Sequence, residues 1–577
     1  MRCHTKANRS DVADSRASTP DIDGAADGFP VSALSPFRYP VFRNVWSASL
    51  VSNLGGQLQA VGAAWTMVSI AASPHMVALV QSSMTLPILL LSLLAGAIAD
   101  NVDRRRILVA AQASMLAVST TLAVCAWTGL VTPWLLLLFT FLIGCAGAFN
   151  APAWQAAVGE MVPRVQVASA ITLNGAGFNI ARSVGPAIGG AIVATAGAAT
   201  AFTLNALSAV GLVTVLARWH RPHEKRTLPP ESLGVAIASG VRYVAMSPAI
   251  GVVLLRSAVF GLSGSAIMAL MPLVPGHLIG GGPITYGLLL GSFGIGAVGS
   301  AVGAARLRKA LSTETIVRYA SVGFALATAG LGVSTHLATS MLSLVLGGAG
   351  WVLALSTFNV AVQMSAPRWV VARALSIYQM ATFGGMAGGS WLWGVVATHQ
   401  GVDTALVSAS VVMLACAALG FWRRLEQAEA LNLDPLRQWT APETAVPVES
   451  RTGPVIVTVE YVVHEGDALE FLAAMAESRR IRRRDGALNW RLMRDLADPQ
   501  LWVERYETPT WLDYIRLNNR LTQDDAAIRE RVRALHRGDD VLRVRRMVEI
   551  QTGEISARTT DEGSEIDEPL TDPARSS

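Results

Sequence analysis

Charge is scarce in this sequence. Asp, Glu, Lys and Arg make up 15% of its 577 residues and hydrophobic residues 52%, whereas soluble chains carry about 25% charged residues. The shortage falls in residues 44–422, and the two ends hold much of the charge. An ordinary soluble domain is therefore excluded over that stretch. Cysteine is scarcer still: Cys3, Cys125, Cys145 and Cys416 are scattered, with neither a disulfide framework nor a metal-binding spacing. No phosphate-binding loop of the Gly-x4-Gly-Lys-Ser/Thr type occurs, which argues against ATP-driven work by this chain alone. No apolar core follows the basic residues near the start, so no cleavable signal peptide is expected, and 1–37 reads as a disordered cytoplasmic tail. The net charge of +5 does not point to nucleic acid, because most Arg residues between 38 and 424 sit in short loops between apolar runs.

Those runs are what the sequence has in abundance. Twelve stretches approach the roughly 20 apolar residues that a spanning helix needs: 46–70, 77–99, 107–128, 133–150, 168–195, 200–217, 250–271, 286–305, 316–334, 339–361, 375–398 and 404–422. The connections after each odd-numbered run, such as Ala71–Met76, Gly129–Pro133 and Pro272–Thr285, contain no Lys or Arg. The other side carries Arg104, Arg105, Arg106, Arg164, Arg218, Arg221, Lys225, Arg226, Arg306, Arg308, Lys309, Arg368, Arg373, Arg423 and Arg424. Positive residues stay on the cytoplasmic side, so both termini are expected there, in a plasma (inner) membrane. The longest internal loop, 218–248, divides the runs into 38–217 and 249–424, and its segment Glu231 to Met246 reads as an amphipathic surface helix. The halves echo each other. The spacing from Gly96 to Gly299 equals that from Val193 to Val396, and Val193-Ala194-Thr195 recurs as Val396-Ala397-Thr398. A duplicated six-helix unit suits a rocker with its site between the halves. The expectation is an all-α membrane protein of 12 transmembrane helices in two six-helix repeats.

Gly96-Ala-Ile-Ala-Asp100-Asn-Val-Asp103-Arg104-Arg105-Arg106 resembles the helix 2–3 signature of the major facilitator superfamily. Gly185-Pro186-Ala-Ile-Gly189-Gly190 is similar to the helix-5 signature of its exporter branches. With Asn179 and Arg182 just before it, the segment resembles the branch of the enterobactin exporter and related secretion-type facilitators. The resemblance implies that Asp100, with Asp103 and the three Arg residues, latches one state of the cycle. The second half has Gly303 where Asp100 would recur.

Arg182 lies about 14 residues into the fifth run, about 21 Å at 1.5 Å per residue, near mid-membrane. A central Arg costs about 2.5–3.5 kcal/mol on insertion scales, so it is expected to face the bundle interior or a water-filled cavity, as an anchor for an anionic or polar substrate, as the fixed charge that helps occlude the cavity, or as a structural charge bonded to helix-end carbonyls. Asn174, Phe178 and Arg182 share a helix face. Asn53, Gln57 and Gln379 are candidate cavity residues, and Trp65 and Phe383 candidate walls. Arg256 and Arg318 are expected to snorkel at the basic ends. No carboxylate or His appears at mid-membrane depth, so proton coupling is implied by the resemblance alone. No cofactor, metal or nucleic acid is expected. The expected partners are the lipid bilayer, a small-molecule substrate and protons as a candidate coupling ion.

After a Pro-containing linker, 425–452, the pattern changes. Segments 453–551 read as βαββαβ, an α+β ferredoxin-like unit, followed by an acidic disordered tail, 552–577. Trp502-Val-Glu504-Arg505-Tyr506-Glu507, then Trp511 and Tyr514, resembles the antibiotic-biosynthesis-monooxygenase-type dimeric α/β barrel, which implies a homodimer contact. Asn518, Asn519 and Arg520 occupy the region where that family often has a His, which disfavours catalysis. The run Arg479, Arg480, Arg482, Arg483, Arg484 reads as a solvated face or one resting on anionic inner-leaflet lipid. Three functions are open: export of a siderophore, drug or metabolite, import on the same fold, or a membrane-tethered enzyme.

Overall fold

The computed structural model describes residues 34–71, 73–163, 166–219, 233–367, 369–425, 436, 442–538 and 542–550. Residues 1–33 and 551–577, most of the linker, and Arg164, Arg221, Lys225, Arg226 and Arg368 lie outside the described residues, as does the side chain of Asp100; the end of the expected N-terminal tail is ordered as a turn at Ser35–Arg38, with Phe37 against Phe42 and Trp46. The first part is helical: α1 Pro40–Ile70, α2 Pro74–Asn101, α3 Arg104–Trp127, α4 Pro133–Val158, α5 Val167–Arg218, α6 Leu233–Ala245, α7 Pro248–Leu270, α8 Pro283–Ala310, α9 Thr313–Val333, α10 Leu337–Met364, α11 Val371–Gln400 and α12 Val402–Trp422. Prolines open α1, α2, α4, α7 and α8, where the missing N–H is no loss and φ is already helical. The fifth and sixth runs form one long helix, broken at Gly197 (φ 80°), a backbone conformation that only glycine adopts readily. Among the described residues, nine segments are long and apolar enough to cross a membrane. α1, with Asn53, Gln57 and Gln59, and α11, with Gln379, are of similar length but less apolar.

α1–α5 form one helical half and α7–α12 the other. Small residues and interhelical hydrogen bonds, rather than a hydrophobic drive, hold helices together in lipid. In the first half Gln59, Ser119 and Asn205 form such a polar knot, with Ser119 donating to Gln59 (2.8 Å) and Asn205 Nδ2 donating to Ser119 (3.0 Å). In the second half Phe260, Phe324 and Trp351 pack with ring centroids 5.6–5.8 Å apart.

Arg256 does not snorkel. It is fully buried and ion-paired to Glu314 at the start of α9. Glu314 also accepts from Arg318 (3.3 Å) and from the backbone N–H of Leu425 (3.0 Å), so one carboxylate ties α7 and α9 to the segment leaving α12. Arg318 further lies 4.2 Å from the Phe421 ring centroid. Taking Arg256 alone, without the acid two helices away, hid this pairing from sequence reasoning.

The C-terminal part contains β1 Val455–Val462, α13 Ala468–Asp485, β2 Leu488–Arg494, β3 Leu501–Thr508, α14 Trp511–Asn519, α15 Gln523–Ala534 and β4 Arg543–Val548. Its small sheet has the order β2-β3-β1-β4 with antiparallel neighbours. Alternate residues of β1 and β3 face the helices, burying Val455, Val457, Val459, Tyr461, Trp502 and Tyr506. The Arg479–Arg484 run is not simply a solvated face. Arg482 is buried between Glu504 (3.4 Å) and the Tyr506 ring (4.7 Å), and Arg484 pairs with Asp485 and Asp525. A helix carrying arginine at nearly every position necessarily turns some inward, and here buried carboxylates receive them. Burial pushes the Asp485 carboxyl up to about 6, against the opposing pull of Arg484.

Candidate functional site

The two halves meet along two seams of unequal length. The α2–α11 seam is continuous. The His75 N–H donates to Thr398 Oγ1 (3.1 Å), Ser82 donates to the Ala387 carbonyl (2.9 Å), and Ser92 donates to the Ser376 carbonyl (3.4 Å). The closest approaches of the α5–α8 seam lie away from the basic ends. A Cβ on Gly190 would lie 2.7 Å from the Pro283 carbonyl oxygen, and one on Gly294 would lie 2.7 Å from Ser183 Cα. In the same antiparallel register, Gly175 and Val302 lie at matching levels nearer the basic ends. A Cβ at Gly175, Gly299 or Gly303 meets nothing within 4 Å, and Val302 is 78% exposed. The close approaches of α5 and α8 thus involve Ser183–Gly190 and Pro283–Gly294.

Between the seams lies a cavity of about 320 Å³, walled by Gln57, Gln81, Met84, Thr85, Arg182, Met268, Tyr286, Phe293 and Phe383 among others. The Arg182 guanidinium carbon lies 5.9 Å from the Phe293 ring centroid, the ring coming from the opposite half. Neither a carboxylate nor a carbonyl pairs with Arg182 among the described residues. The carbonyl bonds of the structural reading are thus not seen among the described residues. The wall is otherwise apolar or neutral, with no Asp, Glu or His among the described lining residues. A single cation in a mostly apolar chamber has little dielectric screening, which strengthens its pull on an anion.

The glycines of the helix-5 signature create this geometry. A Cβ on Gly185 would sit 2.6 Å from Gln57 Cβ, and one on Gly189 would sit 3.3 Å from Leu58 Cα, so both let α5 lie close on α1. Gly190 and the Pro186 carbonyl meet Gly287 of α8. The same six residues thus pack α5 within its own half and against the other. Gln57 and Phe383 line the same cavity as Arg182.

Other candidates lie elsewhere. Asn53 donates to Ser49 (3.2 Å) within α1, and Asn174 accepts from Trp154 Nε1 (3.1 Å), tying α5 to α4. Phe178, Gln379 and Trp65 do not line the cavity. Sequence reasoning missed Gln81, Thr85 and Tyr286, which sit in runs that read as plain apolar spans. Their only signal is their isolation as polar groups in such runs.

In the helix 2–3 signature, Asp103 caps α3 by accepting from the Arg105 N–H (2.9 Å). Arg104 pairs with Glu160 at the end of α4, and Arg105 donates to the Leu216 (3.2 Å) and Ala217 carbonyls at the end of α5. Arg106 is exposed. These contacts bind the basic ends of the first half together. Gly96 is the member that reaches the other half, where a Cβ would lie 3.1 Å from Ser376 Oγ of α11.

A family described as transmembrane secretion effector matches residues 31–554. The chain belongs to that family. It is a multi-pass membrane transporter of the major facilitator type. Among curated relatives of this secretion effector, the staphyloferrin A transporter of Staphylococcus aureus is 30% identical over 163 residues, 28% of this chain and 41% of that protein. The multidrug efflux pump Tap of Mycobacterium tuberculosis is 32% identical over 220 residues, 36% of this chain and 51% of the pump. The chain thus spans about half or less of the length of these relatives. Among solved structures, a bacterial homologue of the lysosomal transporter Spinster in an inward-facing conformation matches with a TM-score of 0.54 at 13% identity, covering 67% of this chain and 97% of that one. The nucleoside transporter NupG matches at 0.52 and 13%, covering 67% and 100%. These structures share the fold.

Proposed function

We propose that this transporter exports small, negatively charged organic molecules by alternating access, with Arg182 as the anchor for the anionic group. The supporting observation is Arg182, with no carboxylate or carbonyl partner among the described residues, in a cavity between the halves beside the α5–α8 contacts. The reading takes the helices as twelve spans in two six-helix halves, with α5 counted as two on either side of Gly197. Arginine placement supports a cytoplasmic basic face, in the plasma (inner) membrane, with both termini inside. On this reading the cavity opens inward in this state, to load cargo from the cytoplasm. The helix 2–3 signature, with Asp100 and Asp103, is read as the gate. The relatives' names, a siderophore transporter and a multidrug pump, agree with small-molecule cargo. Protons are the candidate coupling ion, with no residue assigned.

The soluble domain is read as a ferredoxin-like accessory unit rather than an enzyme. Asn518 is buried and donates to the Tyr514 carbonyl (2.9 Å), and Arg520 stacks on Trp369 (4.2 Å), so both have structural roles.

Everted membrane vesicles test the export reading. Vesicles containing the protein are expected to accumulate carboxylate and catecholate dyes and to take up the cation ethidium poorly. Accumulation of ethidium without the anionic dyes contradicts the anchor. Anion uptake confined to right-side-out vesicles makes the protein an importer.

A further inference from the structure

Two aromatic side chains on the basic face of the helical part stack edge to face: Tyr243 of α6 and Trp369 of the α10–α11 connection, 5.6 Å apart at 85°. A guanidinium from the soluble domain lies against each. Arg484 is 5.2 Å from the Tyr243 ring centroid and Arg520 is 4.2 Å from that of Trp369. Both cations are held in place within their own domain. Arg484 bonds Asp485 (2.9 and 3.2 Å) and Asp525 (2.7 Å), and Arg520 donates to the Asp485 carbonyl oxygen (2.8 Å). Prepositioned guanidinium groups on partly buried aromatic faces make stronger contacts than exposed, mobile ones.

The helix carrying Tyr243 also touches both halves. Arg373 at the start of α11 donates to Ser239 of α6 (2.9 Å), and its stem packs on Gly240, where a Cβ would lie 2.8 Å from Arg373 Cβ. α6 packs on α2 as well. It therefore lies across the basic end of the continuous α2–α11 seam, with α13 of the soluble domain on its far side.

We propose that the soluble domain is a brace: docked on Tyr243 and Trp369, it presses α6 across the α2–α11 seam and confines the opening between the halves to the α5–α8 side. This rests on the alternating-access reading, because a brace matters only if the halves move. Contacts made in one arrangement and lost in another shift the balance between them by their differential strength. Loss of docking therefore frees the basic end of the seam.

The test uses the full chain with its native cysteines replaced and a Gly96→Cys/Ser376→Cys pair introduced across the seam. With the domain docked, oxidation is expected to join the pair rapidly. Tyr243→Ala and Trp369→Ala, both outside the soluble domain, and Arg520→Ala, within it, are each expected to slow joining about tenfold, a factor equivalent to about 1.4 kcal/mol. Agreement between variants on the two sides separates lost docking from a misfolded domain. Equal rates in the parent and all three variants overturn the brace, even if vesicles transport anions normally. Slowed joining in vesicles that transport nothing upholds the docking contact and sinks the export reading.

Discussion

Arg182→Leu is expected to insert and fold as well as the parent protein and to lose most anion transport. Insertion should improve if anything, because the substitution removes a charge that costs about 2.5–3.5 kcal/mol at a helix centre. No side-chain partner is orphaned either, since the guanidinium has only the Phe293 ring as a described neighbour interaction. What is lost is the charge-assisted contact with cargo. Such contacts contribute about 1.5–3 kcal/mol, or roughly ten- to a hundred-fold in affinity. Arg182→Lys keeps the charge without the planar fork and should retain part of the flux. Initial rates of dye accumulation in everted vesicles, normalised to protein in the membrane, provide the check. Parent-like rates for the Leu variant would end the role given to Arg182.

Glu314→Gln is expected to act on stability instead. It leaves Arg256 fully buried with its charge uncompensated and weakens the bonds from Arg318 and the Leu425 N–H. Removing one partner of a buried pair costs about 3–5 kcal/mol, whereas replacing both with apolar residues of similar volume is often neutral or stabilising. Arg256→Met/Glu314→Leu should therefore recover much of the loss, limited by Arg318 and Leu425, which still lack their acceptor. Thermal unfolding of the purified protein in detergent checks both. A Gln variant as stable as the parent would show that the pair matters little.

The sequence made the helical architecture readable because lipid imposes a strong constraint: apolar length and arginine placement report each span independently. It also singled out Arg182, the cost of whose charge makes it conspicuous, and the glycine-rich segment at 185–190. It did not reveal that Gly190 meets Gly287 across the halves, because contacts between repeats leave no local periodicity. Arg256 was misjudged for a related reason. Its partner Glu314 lies on another helix, and distance in sequence conceals that pairing. In the soluble part, β1, β3 and the first helix were legible from their alternation and face patterns. The arginine run misled because composition suggests solvent wherever charge is dense, while the buried acceptors Glu504 and Asp525 sit far along the chain.

The distance between α5 and α8 at their basic ends tests the whole account most directly. Spin labels at Gly175→Cys and Val302→Cys, in cysteine-free full-length protein in lipid nanodiscs, report it by pulsed electron spin resonance. The account predicts a predominantly long separation at rest and a second, shorter population when the anion best accumulated by everted vesicles is added. A single separation, unchanged by any such anion, in a protein that still transports it would contradict a cavity that alternates between the two sides.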